Sequence, residues 1–275
     1  MERNKCKNCE SPLYGKFCSS CGQKEYTEKD KSISNIFHEG FHFITHFEGK
    51  LFNTLKTIYQ YPGKLSLDYG NGIRQKYYKP VSFYLLIVVL YLLFPMAKGM
   101  NMEMNSYEGN STFSAYMSHQ IEDKLLKDNI SREQLAEKFD EKSKKASKFL
   151  LLLLIPLAIP LLYLLYLNNR RNLFDNLILL TEINIFFLLS FFILSPIILL
   201  PFVYFLGLDE RIVDSFYGPF LFISFGFYCI FLFHKVYQEK WWISTLKGGV
   251  FGLTFLFMVF SVYRLIVFAT TFALI

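Results

Sequence analysis

The first thirty residues contain no apolar run, and a cleavable secretory signal needs a core of roughly 7–15 apolar residues. No HExxH, GxSxG, Walker A loop or Gly-x-Gly-x-x-Gly occurs anywhere in the 275 residues. Those absences remove zinc peptidases, α/β-hydrolases, P-loop NTPases and dinucleotide-binding enzymes, so an enzyme is the least supported class. No internal repeat of the transporter type is present either. Cysteine is scarce, with five in the chain, and four of them fall within the first 21 positions. A disulfide scaffold spreads its cysteines along the chain, whereas such clustering suits a metal site. Cys229 stands alone in an apolar block and reads as a small buried residue.

What is abundant is apolar and aromatic surface. AVILMFWYC residues make up 52% of the chain and charged residues 19%. Residues 1–80 are polar, with 13 Lys and Arg against 8 Asp and Glu. After Pro80 come apolar blocks near 81–97, 149–167, 177–206, 216–234 and 249–275. Each approaches or exceeds the ~17–25 residues with which a helix crosses a bilayer. A soluble monomer and a disordered chain are excluded. The expected fold is an all-α integral membrane protein with about five transmembrane helices over 81–275.

The chain opens with Cys6-Lys-Asn-Cys9 and Cys18-Ser-Ser-Cys21. Each CxxC can present two thiolates from a tight turn, and the intervening loop is long enough to bring the pairs together. Four thiolates form a closed tetrahedral set suited to one structural Zn²⁺. Residues 1–23 are too few to bury a core, so the metal would supply the folding energy. Iron–sulfur ligation also uses four cysteines, and two disulfides or a redox pair are the other readings. The aromatics Tyr14 and Phe17 and a modest charge argue for a protein-docking or structural role over nucleic-acid binding.

Residues 24–32 form a charged linker. Ile33, Ile36, Phe37, Phe41, Ile44, Phe47, Leu51, Leu55 and Ile58 then recur at helical steps. This predicts an amphipathic helix over 33–60 that lies on the membrane surface or against the bundle. Tyr61-Pro62-Gly63 stops it. His38, His42 and His46 sit at i, i+4, i+8 on the opposite ridge. They read either as a metal or proton-sensing ridge or as part of a solvated polar face.

Residues 61–80 end in Gly72-Ile73-Arg74-Gln75-Lys76-Tyr77-Tyr78-Lys79-Pro80. Cations and tyrosines in that position suit the water–lipid boundary. Arg74, Lys76, Tyr77, Tyr78 and Lys79 read as an interfacial anchor or as a phosphate cluster for a lipid headgroup. The paired CxxC with Cys-Gly-Gln, the Tyr61-Pro62-Gly63 stop and this motif resemble a family of uncharacterised bacterial membrane proteins. That family joins an N-terminal zinc ribbon to a Gly-x-Arg-x-x-Tyr-x-x-Pro motif. The resemblance covers about the first 95 residues and implies an architecture without implying an activity. A weaker similarity, in helix count and ribbon fusion, is to the Yip1-like five-helix membrane proteins.

Charge sets the expected topology. The basic N-terminal region, the neutral loop 98–148, the basic Asn168–Asn172, the acidic Asp209–Asp214 and the basic stretch after His234 alternate as five helices require. The N terminus would be cytoplasmic and the C terminus outside, in a bacterial inner membrane. Lys142, Lys144, Lys145 and Lys148 conflict with the rule, but reduced thiolates require the cytoplasm. The loop 98–148 reads as an outer helical hairpin, either a partner surface or a solvated spacer. Its Ser131-x-x-Gln134 capping box starts a helix that would run into the second membrane helix. Glu182, Asn184, His234 and Arg264 interrupt the apolar blocks. They read as an ion path or headgroup site, or as snorkelling and interhelical hydrogen bonds. The expected function is a non-enzymatic membrane adaptor whose ribbon or outer loop docks a protein partner, with membrane lipid as a second contact and no nucleic acid. The alternative is a small-solute or lipid transporter that uses Glu182 and Arg264.

Overall fold

The computed structural model describes residues 5–6, 9–12, 14–21, 49–93, 102–109, 113–167, 171–207 and 210–275. They fall into two compact units, 1–50 and 51–275. Among the described residues there is no strand beyond an isolated antiparallel bridge between Lys5 and Pro12; everything else regular is helical.

α1 (residues 49–60) leads into the second unit, and the Tyr61-Pro62-Gly63 turn joins it to α2 (Lys64–Gly70). The sequence places a helix stop there, and the stop is where it was expected. Residues 51–70 form a hairpin docked against the bundle. Ile58 and Leu65 are fully buried, and Leu51 and Leu55 pack against the same core. α3 (Pro80–Leu93) follows, with proline at its first position, as its lack of an N–H favours.

The segment 98–148 holds α4 (Met104–Gly109), α5 (Ser114–Asp128) and the start of α6 (Arg132–Leu150). Asn129 closes α5 in the left-handed conformation, at φ 48°. The capping box before α6 is formed: Ser131 N–H donates to Gln134 Oε1 at 3.1 Å and Gln134 N–H to Ser131 Oγ at 3.3 Å. α6 does not run straight into the next helix. A 3₁₀ turn at Leu151–Leu153 separates it from α7 (Leu154–Leu165), and the two axes bend by 47°. The bend separates the charged α6 from the apolar α7.

α8 (Leu173–Leu188) continues through a π-helical turn, Leu189–Leu194, into α9 (Ser195–Leu206). α10 (Glu210–Tyr237) and α11 (Trp241–Phe257) follow, then a second π turn, Met258–Tyr263, and α12 (Arg264–Leu274). Among the described residues, three helical stretches are long and apolar enough to cross a membrane: Leu173–Ile198, Gly218–Tyr237 and Trp241–Leu274. The bent α6–α7 pair would make a fourth. The α3 block is short, with an apolar helix of Pro80–Tyr91. Leu173–Ile198 is the central helix, 83% buried against 44% and 50% for the other two. The outer helices carry exposed Leu85, Val89, Phe220, Phe227, Leu253 and Phe257. So extensive an apolar exterior is what a lipid-facing surface presents.

Glycine brings α10 and α11 together. A Cβ on Gly248 would lie 2.7 Å from Ile230 Cα, and one on Gly252 3.5 Å from Gly226 Cα. Gly249 faces open space instead.

Candidate metal centre and polar sites

In the N-terminal unit a tight turn builds the first CxxC. Cys6 N–H donates to Ser11 O at 2.9 Å and Glu10 N–H to Cys6 O at 2.8 Å, with Glu10 left-handed at φ 58°. Cys18–Cys21 supply the second turn. Cys6 Sγ lies 3.6 Å from Cys21 Sγ, and Cys9 Sγ 3.5 Å from Cys18 Sγ. All four sulfurs are within 4.8 Å of one another. Thiolates about 2.3 Å from one tetrahedral ion sit about 3.8 Å apart, so the four cysteines could hold a metal ion. Cys6 and Cys18 are buried while Cys9 and Cys21 are exposed. Hydrogen bonds from the Ser11 hydroxyl and backbone, then from Cys21 and Cys18, pull the Cys9 thiol down to about 6. That shift favours the thiolate, the ligating form. His38, His42 and His46 lie outside the described residues.

Within the bundle, Glu182 is fully buried on α8. Its Oε1 accepts the Gly63 N–H at 2.8 Å, and its Oε2 accepts the Ser66 N–H at 2.9 Å and the Ser66 hydroxyl. These are the amides at the start of α2. A helix start leaves its first N–H groups without partners, and in a water-free interior nothing else can satisfy them. Gly63 offers no side chain to cap its own helix, so a carboxylate from α8 does it, next to the positive end of the helix dipole. Gly63 is left-handed, at φ 80°, and a Cβ there would meet Leu232 O at 2.9 Å. Only glycine fits. α2 then runs antiparallel to α8, with Gly63 beside Glu182 and Gly70 beside Asp175. Tyr59 anchors the other arm: its hydroxyl is 2.9 Å from Ser190 Oγ, and its ring lies 5.2 Å from Phe186.

The basic motif braces this hairpin. Lys76 pairs with Asp68 at 2.7 Å, and the buried Tyr77 hydroxyl donates to the same carboxylate at 2.6 Å. Burial pulls the Asp68 carboxyl up, but hydrogen bonds from Lys76 and Tyr77 and the charges of Lys76 and Lys64 outweigh it and hold Asp68 below the usual carboxylate range. Tyr78 N–H donates to Thr54 Oγ1 at 2.9 Å, and Lys76 O accepts from Asn53 Nδ2 at 2.8 Å. Arg74 lies over the Tyr69 and Phe174 rings, 5.1 and 5.3 Å from their centroids. Lys79 is exposed.

Asn184, also fully buried, donates to Leu180 O within its own helix at 2.8 Å. His234 stacks on Trp241 with centroids 3.8 Å apart, and its Nδ1 is 3.4 Å from Ser244 Oγ. Arg264 opens α12 and lies 5.1 Å from the Phe260 ring centroid. It is 23 residues beyond Trp241, about 34 Å along a helix, and so past the ~30 Å hydrocarbon core if the two tryptophans mark one face. α12 is clad there by the segment 102–148. Phe139, Tyr107, Met117 and Ile121 bury Phe268, and the Tyr263 hydroxyl donates to Ser147 O at 2.9 Å. The sequence could not foresee Glu182 as a cap; its available signal was a helix start, Gly63-Lys64-Leu65-Ser66, with no side chain at the cap position.

Residues 48–92 match a family described as "Protein of unknown function (DUF3667)". The match covers the docked hairpin, the basic motif and nearly all of α3, which is the part that Glu182 and Asp68 hold together. Neither the curated proteins nor the solved structures contain a match to this chain.

Proposed function

We propose that the chain is a non-enzymatic adaptor of a bacterial cytoplasmic membrane, its four-cysteine knot binding one zinc ion and docking a protein partner while about five helices anchor it. The convergence of four thiols within 4.8 Å carries this reading. A closed four-thiolate set leaves no open coordination position for substrate, which favours a structural ion. Reduced cysteines favour a cytoplasmic N terminus, and five spans would then place the C terminus outside. The buried polar groups also support an adaptor. Glu182, the centrepiece of the transporter alternative, spends both oxygens on α2, and Arg264 opens α12, 23 residues beyond Trp241.

Metal analysis of full-length protein in nanodiscs tests the first half: one zinc per chain is expected, and Cys18→Ser should lose it. A crosslinked partner retained by the native chain and by Asn184→Ala, but lost with Cys18→Ser, is expected for the second half. Undiminished crosslinking by the metal-free variant would overturn the docking role.

A further inference from the structure

A cavity of about 490 Å³ opens where α2 meets the turn between α10 and α11, lined by Tyr61, Lys64, Phe231, His234, Lys235 and Trp241 among others. Its size falls in the roughly 300–1,000 Å³ range of small-ligand sites. Its depth follows from the tryptophans. Trp241 and Trp242 are the only two in the chain, and both are exposed at the start of α11. Tryptophan concentrates at headgroup level, which places Lys64, His234 and Lys235 at that level too. Phe231, exposed one helical turn away from Lys235 on α10, lies on the acyl side.

The charge balance points to an anion. Asp68 is the one acid on the cavity wall, and it is occupied by Lys76 at 2.7 Å and the Tyr77 hydroxyl at 2.6 Å. Lys64 rests over the Tyr61 ring, 5.1 Å from its centroid. Among the described residues neither Lys64 nor Lys235 forms a salt bridge, although the charge of Lys64 also acts on Asp68. Ser244 and the Trp241 ring hold the imidazole of His234 on the wall. Lys64, Lys235 and His234 thus line one opening together with the Tyr61, Phe231 and Trp241 rings. This is a different cluster from Arg74, Lys76 and Lys79, of which Lys76 is engaged with Asp68 and Arg74 with two rings.

We propose that this cavity binds a phosphate-bearing anion, with Lys64 and Lys235 holding the phosphate and Trp241 and Phe231 contacting the group attached to it. The source is either the headgroup of an anionic phospholipid or free phosphate. The site is independent of the cysteine knot, so failure of one leaves the other standing.

The tryptophans supply the readout. Full-length protein carrying Trp242→Phe keeps Trp241 as the sole indole and is titrated in micelles with phosphatidylglycerol, phosphatidylcholine or inorganic phosphate. The expected result is a saturable change in Trp241 fluorescence with phosphatidylglycerol that phosphatidylcholine does not reproduce. Saturation by inorganic phosphate as well assigns the site to free phosphate, and saturation by phosphatidylglycerol alone assigns it to lipid. Lys64→Gln with Lys235→Gln should weaken binding at least tenfold, and Lys64→Arg with Lys235→Arg should restore it. No saturable signal from either anion, equal response to phosphatidylcholine, unchanged affinity in the Gln pair or no rescue by the Arg pair would each overturn the proposal.

Discussion

Replacing Glu182 with alanine should release the α1–α2 hairpin and not merely soften the bundle. The carboxylate is fully buried and accepts two backbone N–H groups, from Gly63 and Ser66, besides the Ser66 hydroxyl. Truncation leaves both amides without a partner in a site that water does not reach. Each orphaned buried donor costs about 1–3 kcal/mol, so the loss is about 2–6 kcal/mol, borne locally by the docked hairpin. At the midpoint of about 4 kcal/mol, local opening becomes roughly a thousandfold more frequent. Hydrogen exchange read by mass spectrometry on peptides covering 58–70, with protein in nanodiscs, measures this directly. Glu182→Gln, which keeps one carbonyl acceptor, should fall between the native chain and the alanine variant. Asn184→Ala is the control. That residue is equally buried, but its amide donates to Leu180 O in its own helix, so exchange at 58–70 should hardly change. Native exchange at Gly63 and Ser66 in Glu182→Ala would refute the cap.

Three further outcomes test other contacts. Gly248→Ala should destabilise by about 1–3 kcal/mol through overpacking, because its Cβ would meet Ile230 Cα at 2.7 Å, whereas Gly249→Ala, facing open space, should be neutral in thermal unfolding. Asp68 is held below its usual range in the folded chain, so its contribution is complete above the unfolded carboxyl value near pH 4 and disappears as pH falls through the lower folded value. Asp68→Asn should remove about 1 kcal/mol, discounted for the half-exposed Lys76, together with that acid-side slope; parallel acid unfolding of both proteins would refute the pairing. Chelation should unfold residues 5–21, since metal supplies their folding energy, and leave the helical circular dichroism of 51–275 intact; loss of the helical signal would contradict two separate units.

Local features were the ones legible in the sequence. The CxxC spacing, the stop at Tyr61-Pro62-Gly63 and the Ser131–Gln134 capping box each depend on neighbours within a few residues, and each is found where its chemistry places it. Helix limits were harder. The apolar block beginning at 249 belongs to a helix that starts at Trp241, because Lys247 is accommodated by Glu239 at 2.7 Å and by the Tyr166 ring at 4.2 Å. Periodicity over 51–60 shows an apolar face but not what it packs against, so the choice between the membrane surface and the bundle stayed open in the sequence. Likewise, a lone glutamate in an apolar block announces that a partner exists, and its partner is 119 residues earlier in the chain. The outer segment showed helices but not that Phe139 and Tyr107 would cover Phe268, since that pairing joins distant parts of the sequence.

That separation has a consequence for how the chain is made. Gly63 leaves the ribosome 119 residues before its cap, and at roughly 5–20 residues per second this is about 6–24 s. Throughout that interval the Tyr61-Pro62-Gly63 tip has no carboxylate to receive its amides, so the hairpin cannot take its final seat as it emerges. Until Leu173–Leu188 has been made, those amides need other partners such as solvent. The segment 51–70 is thus translated early and docked late, and the order in which the bundle closes is written into the distance between a glycine and a glutamate.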